Sequence, residues 1–330
     1  MRTAVMTSNK IATPFRPINV EFIDLASKEH FDIYYKAELS GAPTYVKFAS
    51  SRPEHYEDVC AMMTSGKCGD TFYIREEDLF KYYHHATESL RTIVTSPAVP
   101  TPVKVKKVYE VSKGVMTEFF EYNTSSKILQ SSEEVMEIMD NCMASTEIGF
   151  ATISRVTSRD YYTYTHSVNV GLYCMTFGVK CKMPKTVIKE LGVGGMLHDV
   201  GKSELDPELI NKNGKLTEEE FQEIQKHPSL GMNLLEKIGR YSPCVIHMAE
   251  QHHEKFNGGG YPRGLAAEEI SIHARICKIM DVYDALVTRR SYKKAMAPYD
   301  ALTLMKKQMV DEFDGKLLDL FIKLMGPDEW

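Results

Sequence analysis

Prolines at 97, 100 and 102 divide this chain of 330 residues more decisively than any other feature. Each proline lacks an amide hydrogen and has a fixed φ, so neither a helix interior nor a central strand runs comfortably through Ser96–Val103. A domain commonly takes roughly 100–200 residues, so the length allows two. Residues 96–104 are therefore read as a linker, between an N-terminal module at 1–95 and a larger domain at 105–330.

The two parts differ in pattern. In the first, the runs Val20–Ile23, Phe31–Tyr35, Thr44–Phe48 and Thr71–Arg75 have strand composition and are separated by turns carrying Gly41, Pro43 and Gly66. Helices are expected from Pro53 to about Met63 and from Glu76 through Leu90, giving a small α/β module. From Val105 onward, apolar residues recur at helical spacing. Val135, Ile138, Met139, Cys142 and Thr146 mark one such face, read as a core helix, with a homodimer seam as the alternative. Further helices are expected at Ser167–Phe177, Lys185–Met196, Thr217–Gln225, Pro243–His252, Ile272–Leu286 and Tyr299–Met309, an all-α domain. The expected fold class is thus α+β in two domains.

Charge and cysteine content narrow the function. The net charge of -5 gives no support to a general DNA or RNA binder or to a polybasic membrane binder. No stretch approaches the ~20 apolar residues of a membrane span, and Met1–Ile18 has no signal-like apolar core. The seven cysteines include no C-x-x-C pair, which argues against a disulfide framework and for a reducing, cytoplasmic setting.

The histidines crowd into the second part. His198-Asp199 is followed by Gly201-Lys202, with Tyr164-Thr165-His166 upstream and His227-Pro228, His252-His253-Glu254 and Asp281-Val282-Tyr283-Asp284 downstream. Imidazoles supply neutral nitrogen donors and a carboxylate can bridge two cations, so this inventory suits a dinuclear site. His247 and His273 have no adjacent ligand-type partner and are set aside as ordinary partly buried or surface histidines, and His84-His85 as solvated or core ones. Asp160 reads as a helix N-cap.

His198-Asp199, His252-His253-Glu254 and Gly260-Tyr261-Pro262, with Asp206–Ile210, Gly214–Thr217 and His227-Pro228 between them, resemble the HD-GYP phosphodiesterase family in order and spacing. The resemblance runs from about Tyr162 to Lys293 and implies an HD-type helical bundle that hydrolyses cyclic di-GMP to pGpG, which some members of the family cut further to GMP. It assigns His166, His198, Asp199 and Asp281 to one metal, and Asp199, His227, His252 and His253 to a second. The metals of the family are iron or manganese. Members with a third metal carry a glutamate where this chain has Tyr162, so two are expected.

By the same resemblance, Lys202 neutralises a phosphate oxygen, Tyr261 lines the substrate pocket, and Arg290 and Lys293 contact phosphates. Arg289 and Ser291 depart from the usual flanks of that basic pair, and Asn257 replaces the usual aspartate in Phe256–Pro262. Glu254 is expected to orient a ligand imidazole. The glycine loop is also the family's docking surface for GGDEF-type diguanylate cyclases, and modules like residues 1–95 have regulatory or partner-binding roles. Two alternatives stand beside the enzyme: a cyclic di-GMP receptor without turnover, and a phosphodiesterase for another cyclic dinucleotide.

Overall fold

The computed structural model describes residues 14–23, 31–39, 42–50, 52, 71–122, 128–144, 150–157, 163–212, 214–289 and 295–326. The expected helix at 53–63 lies outside them, as do Thr146, Asp160, Tyr162, Arg290 and Lys293. The chain forms two compact units, Met1–Ile93 and Val94–Trp330.

The first unit holds an antiparallel sheet of four strands, β1 (Phe15–Ile18), β2 (Ile33–Leu39), β3 (Ala42–Ala49) and β4 (Phe72–Arg75), in the order β1-β4-β2-β3. β4 alternates buried Phe72 and Ile74 with more exposed Tyr73 and Arg75, the period of a strand with one covered face. Helix α1 (Leu79–Thr95) follows directly, and Leu79, Tyr82, Tyr83, Ala86 and Leu90 are buried along it. The Phe31 and Tyr82 rings meet edge to face at 6.1 Å, and the Tyr82 hydroxyl accepts from the Asn19 amide and donates to the Asn19 carbonyl.

Two expectations for this unit are corrected. Val20–Phe22 is a 3-10 turn rather than part of a strand. β1 was not expected, because Pro17 breaks the strand pattern; the sheet tolerates it because β1 is an edge strand paired only to β4.

The second unit is helical throughout: α2 (Thr101–Tyr122), α3 (Leu129–Ala144), α4 (Phe150–Val156), α5 (Thr163–Lys180), α6 (Lys185–Leu197), α7 (Pro207–Ile210), α8 (Glu218–Ile224), α9 (His227–Ile238), α10 (Pro243–Gln251), α11 (Ile272–Val287), α12 (Pro298–Gln308) and α13 (Gly315–Leu324). α2 begins inside the segment expected to be linker, since Pro102 falls in its first turn, where a missing amide hydrogen costs nothing. α4, α7, α9 and α13 are additions to the sequence reading; on α9, Leu230, Leu234, Leu235 and Ile238 carry the period, and Pro228 opens it. The face read on α3 is core: Val135, Ile138, Met139 and Cys142 are all buried within the chain, which removes the apolar seam on which a dimer was suggested.

α5 runs through the middle, with every residue from Thr165 to Gly178 buried, as expected of a helix surrounded by others. α6 lies close along it. A Cβ on Gly171 would fall 2.8 Å from the Gly192 carbonyl, and one on Gly195 would fall 2.9 Å from Gly171 Cα, so only glycine permits this separation. The close approach places His166 of α5 and His198, the residue ending α6, beside each other, with ring centroids 5.2 Å apart. No helix among the described residues is long and apolar enough to cross a membrane.

Candidate metal centre

Helix ends build the site. His198 caps the C-terminus of α6 and hands over to Asp199 and the 3-10 turn Val200–Glu204. His227 starts α9, His252 caps α10 with His253 next, and α11 carries Asp281 and Asp284 one turn apart. Of the expected ligands, His166, His198, Asp199, His227 and His252 are at most 2% exposed, and Asp281 is 9% exposed.

Three of the imidazoles are held in one way. His198 Nδ1 lies 2.7 Å from the Gly195 carbonyl, His227 Nδ1 2.7 Å from the Ile224 carbonyl, and His252 Nδ1 3.0 Å from the Ala249 carbonyl. A carbonyl only accepts, so Nδ1 carries the proton in each ring and Nε2 presents its lone pair inward. His166 is oriented by a carboxylate instead: its Nδ1 donates to Asp284 Oδ2 at 2.8 Å.

The inward atoms converge on Asp199. Its Oδ1 faces His227 Nε2 at 3.2 Å and His252 Nε2 at 3.7 Å. Its Oδ2 faces His198 Nε2 at 3.4 Å and His166 Nε2 at 3.9 Å. Asp281 Oδ1 approaches His166 Nε2 to 3.0 Å, and the Nε2 atoms of His227 and His252 are 3.2 Å apart. Two donor groups therefore share one carboxylate: Asp199, His227, His252 and His253 on one side, and His166, His198 and Asp199 on the other.

Lone pairs facing lone pairs in a buried site repel unless a cation lies between them. Asp199 Oδ1 and His198 Nε2 are both buried and make no hydrogen bond, although buried polar atoms are nearly always paired. These donors fit divalent metal ions with nitrogen and oxygen ligands.

The electrostatics agree. Burial, with His252 and His227 beside it, holds His253 well below the ordinary imidazole range, and burial brings His252 down to about 4, so both are neutral donors at pH 7. Burial works against charge on His166 as well, but Asp281 and Asp284 outweigh it and push its pKa up to about 9. Burial likewise opposes ionisation of Asp199 and Asp281, yet Lys202 and His198 hold the first well below the carboxylate range, and His166 the second. The field draws positive charge to Asp199 and Asp281.

The substrate-side residues divide. Lys202 Nζ sits 2.6 Å from Asp199 Oδ2 with 17% of its side chain exposed. The Tyr261 ring stacks on His253 at 4.7 Å. The loop between them is tight: a Cβ on Gly260 would fall 2.3 Å from the Lys255 amide nitrogen. Asn257 keeps the turn despite replacing an aspartate, its Oδ1 accepting from the Gly259 amide. Glu254 does something other than expected. It accepts from the amides of Arg263 and Leu265 at 2.7 and 3.0 Å, so it orders the loop and not an imidazole.

Asp284 is the residue the sequence reading passed over. Asn169 Nδ2 donates to its Oδ1 at 2.9 Å, and the Tyr109 hydroxyl donates to Asn169 Oδ1 at 3.1 Å, so a buried relay runs from Tyr109 of α2 through Asn169 of α5 and Asp284 of α11 to His166. The available signal was spacing: Asp281 and Asp284, like His166 and Asn169, stand three apart on one helical face.

Comparison with known proteins follows the same outline. A family model described as HD domain matches residues 151–317. A cyclic di-GMP phosphodiesterase of Pseudomonas aeruginosa is 31% identical over 245 residues, 71% of this chain and 59% of its own length. A 3′3′-cGAMP-specific phosphodiesterase of Vibrio cholerae is 28% identical over 264 residues, 77% of this chain and 56% of its own. The chain spans about three fifths of the length of the curated relatives it matches. In fold, an HDG"Y"P protein from Bdellovibrio bacteriovorus aligns with a TM-score of 0.64 at 16% identity, covering 94% of this chain and 99% of that one. The chain belongs to the HD domain family.

Proposed function

We propose that this chain is a metal-dependent phosphodiesterase that opens cyclic di-GMP to pGpG and cuts it on to GMP. The observation that carries the reading is the Asp199 carboxylate, whose two oxygens each face a separate set of imidazole nitrogens. Asp199 with His166, His198 and Asp281 would hold one divalent cation, and Asp199 with His227, His252 and His253 a second, with iron or manganese the metals. When bound, such a pair supplies Lewis acidity at the phosphoryl group and an acidified water.

The rest is done by the chain. Asp284 holds His166 in the tautomer that turns Nε2 toward Asp199 and Asp281. Lys202, a flexible point charge already beside Asp199, pairs with a phosphate oxygen arriving there. Tyr261 gives a flat surface beside His253 against which a base or sugar packs. By the same family resemblance, Arg290 and Lys293 contribute phosphate contacts. The reaction belongs in the cytoplasm, in keeping with seven cysteines that are widely spaced and include no C-x-x-C pair.

The test is anaerobic purification, elemental analysis of bound metal, and chromatography of products after incubation with cyclic di-GMP. Two metals per chain with pGpG or GMP appearing is the expected result. Two metals with intact nucleotide would overturn the hydrolytic reading in favour of a receptor. The 3′3′-cGAMP-specific relative supports a second reading, in which the mixed dinucleotide is the substrate. Turnover of the two nucleotides in competition separates the readings.

A further inference from the structure

Glu190 on α6, Cys244 on α10 and His273 on α11 bring a carboxylate oxygen, a thiol sulfur and a ring nitrogen within 4.8 Å of one another. Each stands eight residues before a member of the Asp199 centre: Glu190 before His198, Cys244 before His252, and His273 before Asp281. At 1.5 Å per residue, that offset is roughly 12 Å along a helix. The same three helices thus converge on two donor clusters, one toward each end.

Three features distinguish this trio from a chance meeting of polar groups. His273 Nε2 is buried and makes no hydrogen bond. Glu190 Oε2 lies 3.9 Å from it, too far for a hydrogen bond, while the Glu190 carboxylate accepts from the Cys244 thiol, and burial together with that carboxylate pushes the thiol up. A tetrahedral zinc ion, with bonds of about 2.0–2.3 Å, spaces its ligand atoms by roughly 3.3–3.8 Å, so that gap is close to what a shared cation requires. Thiolate, imidazole and carboxylate together also make a softer donor set than the His/Asp centre, which holds no sulfur. His247, one turn after Cys244, bears electrostatically on the same imidazole.

We infer that Glu190, Cys244 and His273 form a further metal site, selective for zinc or another thiophilic divalent cation, which ties α6, α10 and α11 together at the end away from Asp199. A water molecule completes the tetrahedron. Binding releases the Cys244 thiol proton as the sulfur–metal bond forms. Its role is structural: it sets the spacing of the helices that present His198, His252 and Asp281.

Cobalt(II) titration of the full chain tests the site without reference to turnover. A thiolate-to-cobalt absorption in the near ultraviolet is expected, bleached by zinc, absent in Cys244→Ser, weakened in His273→Gln and retained in Asp199→Ala. A full chain that gives no such band, or an undiminished band in Cys244→Ser, overturns the assignment. The unsubstituted chain provides a second check, with alkylation of Cys244 by iodoacetamide followed by peptide mass analysis. Zinc should protect Cys244; an unchanged rate would also sink the proposal.

Discussion

The sheet unit and the helical unit bury polar groups to different ends. In the first, the buried guanidinium of Arg16 is neutralised by Glu76 at 2.8 Å, and the rest of the core is mainly aromatic and aliphatic. In the second, His198, Asp199, His227, His252 and Asp284 are all at most 1% exposed, and two of their polar atoms have no hydrogen bond. Burying such groups costs free energy that folding alone does not return. The contrast teaches where to look for chemistry: in the unit whose buried polar atoms are left facing each other.

Removing Asp199 should break that contrast most completely. Asp199→Ala takes away the one carboxylate facing both imidazole sets, so bound metal should be lost and turnover should fall at least about a thousandfold, or roughly 4 kcal/mol of barrier. Elemental analysis and product chromatography check it. An Asp199→Ala protein with full metal and activity would mean that the converging lone pairs have nothing to do with the reaction.

The grouping of candidate donors was legible because several of them sit in short motifs at helix ends: His198-Asp199, His252-His253 and His227-Pro228 each punctuate a periodic run. Asp284 was not, because sequence spacing puts it on the face of Asp281 without telling which of the two reaches His166 Nδ1. Glu254 was misjudged because its position beside two histidines hid its bonds to Arg263 and Leu265, nine and eleven residues on. In the helical unit, amphipathic period and proline placement located six helices to within a few residues and passed over short ones such as Phe150–Val156 and Pro207–Ile210. The sheet unit was harder: strand runs are short, Pro17 sits in an edge strand, and Val20–Phe22 has strand composition but takes a tight turn.

Asp284→Asn sharpens the comparison next. Asp284 accepts from both His166 Nδ1 and Asn169 Nδ2, one on each oxygen, whereas asparagine has a single acceptor oxygen and leaves one donor unmet. Metal affinity should fall about 10–100-fold, measured as the metal concentration restoring half of full turnover, with substrate KM little changed. Unaltered metal affinity would separate the Tyr109–Asn169–Asp284 relay from the centre.

Glu254→Gln should act more weakly and on a different quantity. The carboxylate loses one of two acceptors for loop amides, costing roughly 1–3 kcal/mol of local order, so KM should rise several-fold while bound metal stays constant. Loss of metal instead would restore the role of imidazole partner read from its place in the sequence.

The smallest effect on chemistry belongs to the sheet unit, although the substitution is the most disruptive to packing. Phe31 is 1% exposed and lies against Tyr82 and His85, so Phe31→Ala leaves a cavity costing about 3–5 kcal/mol. Amide hydrogen exchange should then speed up across β2 and β4, while elemental analysis returns the same metal content and turnover at 25 °C is unchanged. The tautomers of His166, His198, His227 and His252 are set by Asp284 and by the carbonyls of Gly195, Ile224 and Ala249, none of which the substitution removes. If metal content drops in step with the faster exchange, the two kinds of core are coupled and the division drawn between them fails.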